Sequence, residues 1–73
     1  MITIGVDAHK HVHVALAVDE VGREVEAWKG PNSASGWSDL LEWAEHLGSA
    51  RQFGVEGAWN YGRGLAQFLV ASG

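Results

Sequence analysis

Two acids, Asp7 and Glu56, close two short β-prone runs, "ITIGVD" and "RQFGVE". In the first run Ile2, Ile4 and Val6 alternate with Thr3, Gly5 and Asp7; in the second Phe53 and Val55 alternate with Gly54 and Glu56. Each acid therefore lies on the face opposite the apolar residues. If the runs are neighbouring parallel strands, about 4.8 Å apart, both carboxylates leave the same side of the sheet at matching heights. Such a pair repels itself without a cation and can share a divalent one, and the carboxyl edge of parallel strands is where α/β active sites commonly form. Asp7 and Glu56 are thus candidate metal ligands. Each also has a structural alternative: Asp7 as the cap of the "DAHK" turn, Glu56 as a solvated acid at the start of the following helix, where the dipole favours negative charge.

Other chemistry-bearing residues carry weaker signals. His9, His11 and His13 alternate, a spacing that would suit Zn²⁺ or Ni²⁺ on one strand face, but a turn breaks the parity and the pattern predicts exposed turn histidines. Lys10 is either a phosphate contact or a solvated turn residue. Trp37 and Trp43 fit core and helix-flank packing better than a base-stacking platform. Tyr61, Gly62 and Gly64 shape the entry to the last helix.

The elements that must position the acids follow from the hydrophobic period. After "AHKH", Val12, Val14, Leu16 and Val18 alternate with His13, Ala15, Ala17 and Asp19, a second strand with the larger residues on its buried face. "DEVGRE" supplies a turn at Gly22, and "EVEAW" is a third, weaker strand that ends where "KGPNSAS" breaks the pattern. Trp37, Leu40, Leu41, Ala44 and Leu47 form a helical stripe that Gly48 is placed to stop. "RQFGVE" is the fourth strand, and Leu65, Phe68 and Leu69 mark a second helix. The order is βββαβα. A right-handed crossover places the fourth strand parallel to the first, which predicts an α/β fold with a mixed sheet in the order 3-2-1-4.

With 73 residues, 47% of them hydrophobic, there is room for a single core and too much apolar content for disorder. A chain of this size is marginal without a staple or a partner. No cysteine is present to supply a disulfide or thiolate metal site, which suits a reducing compartment. The start of the chain carries neither a signal-peptide pattern nor a membrane span, so a cytoplasmic protein without membrane contact is expected. Net charge is −4 and the five Lys and Arg are scattered, so no basic patch announces a nucleic-acid surface.

"IGVDAHKHVHVALAVDEVGRE" followed by "GVEGAWNYGRGLAQFLVASG" resembles the N-terminal, RuvC-like half-domain of the DEDD-type insertion-sequence transposases, a family that includes site-specific DNA invertases. Its most specific parts are the G-x-D end of the first strand, Lys10, and the V-E-G…Y-G-x-G-L-A…L…G stretch. The resemblance implies a truncated RNase H-like fold over residues 1–73 and DNA recombination chemistry, strand cleavage or exchange in transposition, in which four acids hold Mg²⁺. Asp7 would be the first acid and Glu56 the second. The other two, and a serine nucleophile, would lie beyond Gly73, so this piece is expected to be inactive alone. DNA, and guide RNA as in some members, would be partners of the complete protein. Where many relatives read E-x-T-G this chain has "EGAWN", and His9 takes a place often held by a smaller residue. The free edge of the fourth strand and the apolar last helix predict a homodimer. Two alternatives differ in class. A fragment of an actin-like sugar kinase or ATPase would need a D-x-G-x-T/S turn where this chain has "DAHKH"; a non-catalytic self-association or metal-binding module would use the edge or the histidines instead.

Overall fold

The computed structural model describes residues 1–48 and 51–72. Two hairpins open the fold, joining β1 (Ile2–Ala8), β2 (Val12–Val18) and β3 (Glu24–Pro31). In the first, the His9 amide donates to the Val12 carbonyl at 3.0 Å. In the second, the Gly22 amide donates to the Asp19 carbonyl and the Asp19 amide to the Arg23 carbonyl, both at 3.0 Å. Asp19 Oδ1 accepts from the amides of Val21 and Arg23, and Gly22 has φ 84°, a conformation that glycine adopts without a Cβ penalty.

The chain then forms α1 (Ala34–Leu47), β4 (Arg51–Val55) and α2 (Arg63–Ala71). Ser33 caps α1 by accepting from the Gly36 amide at 3.3 Å, and Gly48 ends the helix as expected. β1 pairs antiparallel with β2 and parallel with β4, giving the order β3-β2-β1-β4. The architecture is the α/β mixed sheet read from the sequence, consistent with a truncated RNase H-like, RuvC-like fold.

Both helices cover one face of the sheet. Ile4 and Val6 from β1, Ala15 and Ala17 from β2, Leu40 and Ala44 from α1 and Leu65 from α2 form the buried core. Burying Leu40 and Leu65 stabilises the fold by about 1.5–3 kcal/mol each. The expected face of β2 is corrected here. Ile4 pairs with Ala17 and Val6 with Ala15, so the alanines face the helices, while Val14 and Leu16 lie on the open face at 38% and 41% exposure. Trp28, Trp37 and Trp43 pack against the core on the helix side, and small residues on β2 leave room for that bulk.

The same register corrects two further expectations. His13 pairs with Ala8 and is fully buried rather than exposed in the turn. β3 does not stop near Trp28 but runs on through Pro31; it is an edge strand, where a residue without an amide proton is tolerated.

Candidate functional site

β1 and β4 run in the same direction, and their register pairs Ile4 with Phe53 and Val6 with Val55. One more bond continues the ladder, the Glu56 amide donating to the Val6 carbonyl at 2.9 Å. Residue 56 therefore leaves β4 alongside residue 7 of β1, at the carboxyl edge of the parallel pair. Asp7 is 59% exposed on the open face of the sheet, and Glu56 is exposed at the first position of the turn that leads to α2. Both are hard oxygen donors within reach of solvent.

Neither carboxylate accepts from a backbone amide among the described residues. The "DAHK" turn is closed by the His9 amide, which donates to the Val12 carbonyl and, at 3.3 Å, to His13 Nδ1. The Asp7 carboxylate accepts from no backbone amide of that turn; among the described residues its partner is a side chain of the same turn, His9 Nε2, at 3.1 Å. That exposed pair contributes about 0–1 kcal/mol. Glu56 is not in the first turn of α2, which begins at Arg63 and holds no acid there, so the helix dipole, felt only near the helix end, does not account for it.

The histidines do not assemble. His9 and His11 are exposed and His13 is buried, and among the described residues no group of three or more His, Cys, Asp or Glu could hold a metal. His13 Nε2 is buried without a hydrogen-bond partner among them. Desolvation holds the His13 imidazole below the ordinary histidine range, opposed in part by the backbone at Val12 and by Asn32. The tryptophans of α1 pack as expected: Trp37 lies against Phe68 with ring centroids 6.1 Å apart, and Trp43 Nε1 donates to Glu26 at 2.7 Å.

The turn into the last helix was expected from the sequence, but its hinge at Gly57 and the reach of Asn32 were not. The turn after Glu56 is built on Gly57, with φ 72°, whose carbonyl accepts from the amides of Asn60 and Gly62; it leaves Trp59 95% exposed and Tyr61 49% exposed. Asn32, in the connection from β3 to α1, donates from Nδ2 to the carbonyls of Lys10 and Tyr61, each at 3.1 Å. No local signal marks it, because a polar residue between a proline and a helix cap reads as ordinary loop.

The chemistry of the donors fits Mg²⁺ in part. Mg²⁺ keeps several waters and is often held by one or two carboxylates together with phosphate oxygens, and the exposed carboxylates of Asp7 and Glu56 are donors of that kind. A family model described as a transposase, of the DEDD type named for IS110, matches residues 4–73. No curated protein matches the chain.

Proposed function

We propose, from the premise that this chain belongs to the IS110-type DEDD transposase family, that Asp7 and Glu56 are the first two of four acids that hold Mg²⁺ for DNA strand cleavage or exchange. The observation that carries it is the continuation of the β1–β4 ladder through Glu56, which brings residues 7 and 56 out side by side at the carboxyl edge. That the Asp7 carboxylate accepts from no backbone amide among the described residues, and meets only the exposed His9 side chain, supports the same role. Asp7 and Glu56 would hold a divalent ion, which when bound would supply charge to activate an attacking oxygen and to stabilise a leaving oxygen at a phosphodiester. The two carboxylates hold and orient that charge, and their exposure leaves the approach open to a DNA strand.

Transposase membership implies DNA as partner; guide RNA, as in some members, would engage the complete protein. Residues 1–73 act in this proposal as a partial RNase H-like domain that needs further acids and a nucleophile. A cytoplasmic location fits a chain that carries no cysteine and in which no described helix is long and apolar enough to cross a membrane. A homodimer is supported by the free edge of β4 and by a groove of about 330 Å³ beside it, lined by Phe53, Val55, Leu69 and Val70 among others.

With two of four acids and net charge −4, the chain alone should leave DNA intact, since phosphate attraction needs positive charge. Incubation of supercoiled plasmid with purified chain and Mg²⁺ or Mn²⁺ tests this. The plasmid is expected to stay supercoiled. Metal-dependent nicking lost in Asp7→Asn would overturn the need for further residues.

A further inference from the structure

We infer that Asn32 is a positioning residue for the Asp7 and Glu56 pair, acting as a clamp between the loops that leave β1 and β4. Both of its Nδ2 protons are committed to those loops. Oδ1 accepts from Trp37 Nε1 at 3.0 Å, and an indole can only donate, so the orientation of the amide is fixed. The two Nδ2 protons then face the carbonyls of Lys10 and Tyr61, with the His9 carbonyl a longer third contact at 3.4 Å. Its backbone amide adds a bond to the His11 carbonyl at 2.8 Å.

Lys10 lies in the turn that follows Asp7, and Tyr61 lies in the loop that follows Glu56. Among the described residues, the bond from Asn32 to Tyr61 is the one hydrogen bond that ties the 57–61 stretch to the rest of the sheet's carboxyl edge; the others there are internal to the loop or lead into α2. The clamp itself stands on rigid ground, between the end of β3 and the Ser33 cap, with Trp37 packed on Phe68. Two carboxylates without a cation repel and tend to splay, and a bound ion tolerates displacement of its donors by only about 0.5 Å. A side chain that joins both outgoing loops opposes that splay without touching the ion.

The inference rests on the proposal that Asp7 and Glu56 bind metal, so its test has two readouts. Hydrogen exchange by mass spectrometry on the metal-free chain reports the clamp. In Asn32→Ala, amides of 57–62 and of the His9–His11 turn are expected to exchange about tenfold faster, with the β1–β2 ladder unchanged. Mn²⁺ titration followed by electron paramagnetic resonance reports the positioning, and Kd is expected to rise about 10–100-fold, as for lost partners of metal ligands. Asn32→Asp separates geometry from charge: an added negative charge alone tightens cation binding, whereas loss of the two donors weakens it, and weakening is expected. Trp43→Phe, which loses the bond to Glu26 away from this edge, should lower Tm without changing Kd. Unchanged exchange in Asn32→Ala, or unchanged or tighter Mn²⁺ binding in Asn32→Asp, overturns the inference while wild-type binding that Asp7→Asn abolishes leaves the metal proposal standing. A wild-type chain that binds no Mn²⁺ overturns the metal proposal and this inference with it.

Discussion

Replacing His13 with leucine should stabilise the protein, and more so in acid. His13 is fully buried, its Nδ1 accepts from the His9 amide at 3.3 Å, and its Nε2 has no partner among the described residues. Removing a buried unpaired polar group recovers about 1–3 kcal/mol, while the long bond to Nδ1 is worth about 0.5–1.5 kcal/mol. The His9 amide is not orphaned by the change, because it also donates to the Val12 carbonyl at 3.0 Å. The balance spans about −0.5 to +2.5 kcal/mol, centred on a gain of about 1 kcal/mol at pH 7.5, with each 1 kcal/mol worth roughly 4–8 °C in Tm for a domain of this size. Burial lowers the folded pKa of His13 from 6.5. Between the folded value and 6.5 the unfolded chain binds more protons, so the contribution to stability is complete above 6.5 and is lost as pH falls toward the folded value. His13→Leu removes that loss. Urea unfolding at pH 7.5 and pH 5.5 should show a stability gap that widens in acid. A variant destabilised by more than about 1 kcal/mol at pH 7.5, or a gap that does not widen, would refute the reasoning.

Asp7→Asn in metal-free buffer should melt no lower than the wild type, since the change removes repulsion with Glu56 and only an exposed contact to His9. Millimolar Mg²⁺ should then raise the Tm of the wild type more than that of the variant, by linkage to the native state; a clear loss of stability without metal would contradict this. Val70→Glu should lower the dimer fraction in sedimentation equilibrium at micromolar concentration, because Val70 is 82% exposed in the groove beside β4. Val70 is a cleaner probe than Phe68, whose ring packs on Trp37, and a wild-type chain that stays monomeric would exclude the dimer.

The strand order, and with it the placing of residues 7 and 56 at one edge of the sheet, was legible because period-two alternation and the hand of a crossover are local, chain-order properties. The inward face of β2 was not. Both of its faces are apolar, valine and leucine against alanine, and hydrophobicity picks the larger set; the choice was made by the register with β1 and by the tryptophans that fill the helix side. The burial of His13 follows from that same register, which a turn of unknown type conceals. Pro31 stopped the third strand on paper because an interior strand would reject it, whereas the outer position of β3 accepts it. Asn32 makes its bonds across 22 and 29 residues of chain, and no short-range pattern encodes such contacts.

The most direct test of the central claim is Mn²⁺ binding, read by electron paramagnetic resonance, to the wild type, Asp7→Asn, Glu56→Gln and the double variant. If the two carboxylates share one ion, each single change weakens binding at least about tenfold, and the double variant loses less than the two effects added, because either change has already broken the shared site. Wild-type binding no tighter than that of the double variant, or single effects that add as two independent sites, would contradict the account.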